Sequence, residues 1–236
     1  MGIRLEVCVD SAEGLAEAVA GGADRIELCS ALALGGLTPS AGLITLAARC
    51  GVPVVAMIRP RAGDFVWSEA EVGMMEAEIA AVREAGLAGV VLGASLPDGR
   101  LDVPVLRRLV AAAVGLDLVL HRCVDLTPDL GAALEEAVAL GFDRILTSGG
   151  AVTAEAGAER IAALVARAAG RITVMPGSGV NPGNAAMLKG LGITEIHASC
   201  SGTTPVTGRV VEMGFASALR RQTDADQVRA LRKALE

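Results

Sequence analysis

Short apolar runs alternate along the chain with longer stretches whose apolar residues recur at helical spacing, the pattern of strands interleaved with amphipathic helices. The runs that read as strands are Leu5–Cys8, Ile26–Cys29, Val52–Ile58, Gly89–Leu92, Leu116–His121, Arg144–Thr147, Ile172–Met175 and Thr194–His197. Asp10-Ser11 caps a helix over Ala12–Ala20 that Gly21-Gly22 stops. Thr38, with Pro39 at the first helical position, opens a second helix to about Arg49, and Ser68 with Glu71 forms a capping box for a third reaching Glu84. Asp102 caps a fourth, and others follow over Pro128–Leu140 and Ala154–Ala168. Asn181-Pro182 opens a further helix and Thr223-Asp224 the last. Eight strand–helix alternations with no break in composition predict an α/β fold, a single-domain (β/α)8 TIM barrel over residues 1–236, with an irregular segment at about 200–222 before the C-terminal helix. A doubly wound open sheet is the alternative, but the turn after the first strand, Val9-Asp10-Ser11-Ala12, lacks the GxGxxG of that fold.

Three strands break the apolar rule. Leu5-Glu6-Val7-Cys8 and Ile26-Glu27-Leu28-Cys29 are two versions of one phrase, and Glu195-Ile196-His197 is a third. Period-two alternation puts Glu6 and Cys8 on one face and Leu5 and Val7 on the other. A strand covered on both faces should be almost continuously apolar, so the carboxylates need a reason.

In a barrel of this kind chemistry sits at the C-terminal strand ends. Glu6, Cys8, Asp10, Glu27, Cys29, Arg59, Arg61, Asp64, His121, Arg122, Asp125, Thr147, Ser148, Glu195 and His197 all map to strands or the turns that leave them, and both histidines of the protein are among them. One explanation is a buried ion-pair network that only fills the barrel interior. The other is a polar pocket in which Glu6 or Glu27, with His121, serves as acid or base. Arg59, Arg61 and Arg122, with Ser148 and His197, would then hold an anionic substrate. Gly177-Ser178-Gly179 precedes a helix start where barrels bind phosphate through backbone N–H groups, and Ser199-Cys200-Ser201-Gly202 is the natural second half of that cradle. A tight loop with Asn181 as a cap is the plainer account.

Composition narrows the partners. Apolar residues make up 52% and charged residues 20%, with a net charge of −6, which argues against nucleic acid and anionic membrane. Aromatic residues are only 2%, so stacking platforms for bases are missing too. No apolar run reaches the ~18 residues of a membrane span, and the start, MGIRLEVCVDS, does not read as a signal peptide. Five scattered cysteines without a CxxC suit free thiols in a reducing cytoplasm. Glu6, Glu27, His121 and His197 make a possible mixed-ligand divalent site, although no HxH or HExxH spacing supports it. Cys8 and Cys29, placed at equal depth on adjacent strands, are the thiols that soft Cu(I) would want, or else two small buried apolar residues. Met74, Met75, Cys50 and Cys123 read as core packing.

The phrases LEVCVDS, GGADRIELCSALALGGLTPS, IRPRAGDFVWSEAE, HRCVDLTPD, GFDRILTSGG and MPGSGVNPGNA, with EIHAS, resemble the CutC family, named for copper homeostasis. The resemblance runs from about Leu5 to Ser199. It implies a cytoplasmic (β/α)8 barrel that self-associates, as a homodimer, and a role in copper tolerance through Cu(I) binding. The family's usual His-Arg-Ala-Phe-Asp is His121-Arg122-Cys123-Val124-Asp125 here, and Ser201–Arg221 departs from the family pattern. The partner expected is thus a copper ion or a small phosphorylated or carboxylated molecule, the latter making the protein a barrel enzyme or sensor.

Overall fold

The apolar runs form eight parallel strands in the computed structural model, which describes residues 2–236. They are β1 (Arg4–Val9), β2 (Arg25–Leu28), β3 (Val54–Met57), β4 (Gly89–Leu92), β5 (Asp117–Leu120), β6 (Arg144–Thr147), β7 (Thr173–Pro176) and β8 (Glu195–Ala198). They neighbour one another in the order β7-β6-β5-β4-β3-β2-β1-β8. The ends of this order, β7 and β8, pack side by side without a hydrogen-bonded ladder, so the (β/α)8 barrel is nearly closed. Helices α1 (Ala12–Gly21), α2 (Ala41–Ala47), α3 (Glu69–Glu84), α4 (Val103–Ala112), α5 (Leu130–Leu140), α6 (Ala158–Ala168) and α7 (Ala185–Lys189) connect successive strands. No helix among the described residues is long and apolar enough to cross a membrane.

Local chemistry sets the helix starts. Ser11 accepts from the Gly14 N–H, Ser68 and Glu71 close the expected capping box, and Asp102 accepts from the Val105 N–H. Three starts differ from expectation, and the simplest is α6, which begins at Ala158 after Gly157 and not at Ala154. Thr38 does not cap α2, because its hydroxyl donates to Glu78 and accepts from the Arg59 N–H, both at 2.9 Å. Ser40 caps instead. Likewise α7 begins after Asn184, whose Oδ1 accepts from the Asn181 N–H, so the turn at Asn181-Pro182 precedes the helix and is not its first turn.

The segment expected to be irregular is a β-hairpin. β9 (Ser201–Pro205) pairs antiparallel with β10 (Leu219–Thr223), and the short α8 (Arg209–Glu212) lies in the connection. α9 (Ala225–Leu235), capped by Asp224, then returns to pack on α1. Val210, Met213, Phe215 and Leu219 of this segment are exposed.

Two apolar layers hold the barrel. Leu5, Val7, Val9, Ile26 and Leu28 face outward into the helix jacket, together with Leu106, Leu109, Leu134, Ile161 and Val228. Met75 of α3 belongs to this layer, but Met74 is exposed, one step round the helix. The lumen holds a smaller cluster of Val55, Met57, Val91, Val119, Leu146 and Met175 from β3 to β7, joined by Cys29 just after β2. The other side of the lumen, from β8, β1 and β2, is polar.

Candidate functional site

Adjacent strands of a barrel are staggered, and this stagger decides which of the strand carboxylates meet. Glu6 stands level with Arg25 on β2 and His197 on β8, while Cys8 stands level with Glu27. The two like phrases are therefore offset by two residues. Cys8 and Cys29, expected at one depth, sit one layer apart.

The floor of the lumen is a chain of alternating charges. Arg25, almost wholly buried, donates through Nε to Glu6 and through Nη2 to Glu195 at 2.5 Å. Arg144 continues the chain from Glu195 at 2.9 Å to Asp117 at 3.2 Å. Glu195 thus lies at the N-terminal end of β8, not among the strand ends where chemistry was expected. Glu6, expected as an acid or base, is fully buried between Arg25 and His197 and does not line the cavity. Burial by itself raises the Glu6 carboxyl, but the hydrogen bond from His197 and the charge of Arg25 outweigh it and hold the group down to about 2. Arg25 was missed in the sequence because it opens its strand. Its alternation with Glu27 on one strand face was the available signal.

Above this floor lies a cavity of about 720 Å³ at the C-terminal mouth. Glu27, His197 and Cys8 form its base, with one ligand-capable atom from each within 4.8 Å of the others. His197 Nδ1 donates to Glu6 Oε1 at 2.7 Å, and its Nε2 lies 3.8 Å from Glu27 Oε2. Burial disfavours a charge on His197, yet Glu27 first, then Cys8 and the hydrogen bond to Glu6, prevail and raise its pKa well above the usual 6.5. Burial also raises the Glu27 carboxyl, a tendency that His197 only partly offsets. Cys29 donates to Glu27 Oε2 at 3.5 Å from outside the Cys8–Glu27–His197 group, and burial with Glu27 beside it pushes its thiol up. Among the described residues, three of the five buried side-chain atoms that lack a partner belong to residues lining this one cavity: Glu27 Oε1, Arg59 Nε and His121 Nε2.

The rim sorts the remaining expected residues. Arg59 and His121 line the cavity. Arg61 does not: it pairs with Asp64 at 2.9 Å and Glu71 at 2.6 Å and stacks on Trp67, pointing away from the mouth. Arg122 reaches the cavity but is engaged by Asp125 and by the Ser148 hydroxyl at 2.7 Å. Ser148 is fully buried beneath it and positions Arg122 without lining the cavity. Gly177 also stays out of the lining, and a Cβ there would meet Leu146 and His197. Ser178 and Gly179 do line it; Ser178 has φ 80° and its hydroxyl is taken by Val152 O. The backbone N–H groups of Ser178, Gly179, Val180, Ser199 and Cys200 have no acceptor within the described residues.

Comparison with known proteins agrees with this architecture. The profile of the CutC family matches residues 3–202. The family protein CutC of Rhizobium meliloti (strain 1021) is 57% identical over 236 residues, covering 99% of this chain and 96% of its own. That of Caulobacter vibrioides (strain NA1000 / CB15N) is 50% identical over 238 residues, covering 98% and 97%. Among solved structures, the putative copper homeostasis protein CutC from Streptococcus agalactiae superposes with a TM-score of 0.80 at 34% identity, over 84% of this chain and 99% of that one. The profile ends at the start of the β9–β10 hairpin, where the family phrases also end. With matches of this extent and identity, the chain belongs to the CutC family.

Proposed function

We propose that this protein is a barrel enzyme that binds a small anionic molecule at the C-terminal mouth and moves a proton between it and Glu27, with His197 as the partner acid. The observation that carries this reading is the buried Glu27 carboxylate. It has one oxygen unpartnered at the base of a 720 Å³ cavity and the other 3.8 Å from the His197 imidazole. That volume suits a small metabolite and greatly exceeds a single ion. The Glu27 carboxylate accepts a proton from an O–H or an activated C–H of the bound molecule. The electron pair left behind moves onto a neighbouring oxygen, where the His197 Nε2–H stabilises it. Glu6 holds His197 by Nδ1 and keeps it protonated, and Arg25 keeps Glu6 ionised. The idle N–H groups of Ser178–Val180 and Ser199–Cys200 supply a seat for phosphate.

A thermal-shift panel of sugar phosphates, phosphorylated acids and inorganic phosphate tests the reading. A ligand at a hundred times its Kd stabilises by about 2.7 kcal/mol, which raises Tm by roughly 5–10 °C for a chain of this size. No shift with any member of the panel, phosphate included, removes the reading. With a ligand in hand, Glu27→Gln should keep binding and lose turnover.

A second reading rests on the Cys8–Glu27–His197 group and on the family's name. Copper homeostasis implies Cu(I), which prefers sulfur ligands. The group offers a single thiol, and His197 must give up a proton that its two carboxylates stabilise before it can ligate. The residues do not fit a two-thiolate Cu(I) site, since Cys29 stands outside the group. In a Cu(I) titration against a competing chelator, a Cys8-centred site predicts that Cys8→Ser weakens binding by about tenfold or more and Cys29→Ser by less than about twofold. Equal losses would restore the Cys8–Cys29 pair expected from the sequence.

A further inference from the structure

Arg59 is a buried cation without a counter-ion. It is 6% exposed, and no carboxylate among the described residues pairs with it. Three backbone carbonyls hold it instead: Nη1 donates to Leu34 O at 2.9 Å and Gly36 O at 3.1 Å, and Nη2 to Gly63 O at 2.9 Å. Its guanidinium lies 4.8 Å over the Phe65 ring, and Nε has no acceptor. The imidazole of His121 leans on the same Phe65, ring centroids 4.7 Å apart. Its Nδ1 accepts from the Cys123 N–H at 3.2 Å, so in the neutral ring the proton is on Nε2. That N–H also has no acceptor. Burial and the nearby Arg59 hold His121 neutral, its pKa lowered to about 3. Both side chains line the cavity and bring to it one fixed positive charge and no acceptor, while their two idle donor atoms are buried in its wall. An uncompensated guanidinium removed from water is costly, and an anion that brings the acceptors removes that cost.

The position of this pair is as informative as its chemistry. Arg59 follows β3, and the idle N–H groups of Ser178–Val180 follow β7, four strands away in a ring of eight. The two anion seats therefore face each other across the mouth, with Glu27 and His197 between them at its base. Of the other two arginines that line the cavity, Arg122 is neutralised by Asp125, and Arg221 of β10 is exposed on the hairpin rather than buried in the wall. We propose that Arg59 and His121 form a carboxylate subsite, so that the molecule bound is a short phosphorylated carboxylic acid. Its phosphate rests on the loops after β7 and β8, its carboxylate on Arg59 and His121, and its middle atoms above Glu27 Oε1. This inference rests on the anion-binding reading given above and adds the substrate class to it.

The test separates the two. Isothermal titration is run with three acids of increasing length, phosphoglycolate, 3-phosphoglycerate and 4-phosphoerythronate, each against a phosphate monoester of the same length without the carboxylate. The intact protein should bind at least one acid about tenfold or more tightly than its monoester. Arg59→Gln should bring that ratio to within about twofold of one while the monoester still binds. His121→Phe keeps the ring on Phe65 and removes the donor, and it should lower the ratio by about threefold. It serves as the second variant should Arg59→Gln loosen the loops whose carbonyls the guanidinium holds. Monoester binding with a ratio near one in the intact protein overturns the carboxylate subsite and leaves the anion-binding reading standing. An unchanged ratio in both variants also overturns it, and no binding of any probe overturns both.

Discussion

The floor and the mouth of the barrel are built from the same residue types and differ in how those residues are satisfied. On the floor, Glu6, Arg25, Glu195, Arg144 and Asp117 alternate in sign, so each charge has a partner. At the mouth, Glu27 is shared between His197 and Cys29 with one oxygen idle, Arg59 has only carbonyls, and His121 has an unused N–H. A buried charge with a partner reports on structure. A buried polar atom without a partner implies that something else completes it, and three residues with such an atom, Glu27, Arg59 and His121, line one cavity. Of the two explanations weighed for the strand carboxylates, the ion-pair network describes the lower layer, and the upper layer is where we propose the ligand pocket. Glu6 joins them, since it takes Arg25 on one side and orients His197 on the other.

The difference can be broken most strongly from below. Arg25→Met leaves Glu6 and Glu195 facing each other in the lumen without their shared cation. It should cost about 3–5 kcal/mol in urea denaturation, and a loss below 1 kcal/mol would mean that the floor is not a structural network. Acid titration separates the layers next. His121 resists protonation in the folded state, so its contribution is lost as pH falls from 6.5 toward about 3. Glu6 is depressed, so its contribution is intact above 4.5 and lost as pH falls toward about 2. His197 is raised, and its contribution is full below 6.5 and lost only as pH climbs through its folded value. His121 and then Glu6 should therefore each pull stability down by on the order of 1 kcal/mol per pH unit in their own windows, against the opposite contribution of Glu27, which is raised and gains stability as it protonates. His121→Asn should flatten the limb between 6.5 and 4.5 and leave the part below 4.5 unchanged. An unaltered upper limb would show that His121 does not generate it.

Glu27→Gln is expected to be milder. It removes a carboxylate that burial already disfavours, so the change should stay within about 1 kcal/mol, in contrast to Glu6→Gln, which strands Arg25. Equal costs for the two would erase the distinction between floor and mouth. The smallest effect belongs to Arg61→Ala. This arginine is paired on the surface with Asp64 and Glu71, so removing it should leave the urea midpoint nearly where it was and anion binding unchanged. Weakened anion binding in this variant would return Arg61 to the site.

Much of this was legible along the chain. Apolar periodicity, the Ser68–Glu71 box and the turn residues place all eight strands and most of the helices, because these signals act over a few residues. The residues of the mouth were legible as a set, since strand-end polarity needs only the barrel topology to become a pocket. Arg61 and Ser148 could not be sorted from Arg59 and Arg122 in this way, because whether they meet Glu71, Asp125 and Ala151 O depends on the path of the turns after β3 and β6, which the sequence does not fix. The hairpin of β9 and β10 was hidden for a related reason: its pairing of Ser201 with Thr223 spans a long connection and buries little that would impose a period.

The sequence by itself determined that this is a (β/α)8 barrel with carboxylates, thiols and histidines on its strands, because alternation and capping are local and each residue's face follows from its own strand. Only the tertiary structure decided which of them meet. The stagger between β1 and β2 sets Glu6 against Arg25 and Cys8 against Glu27, separating two phrases that look alike in sequence. Register is a property of the closed ring, not of either strand. It makes one glutamate part of the frame and leaves the other facing the cavity.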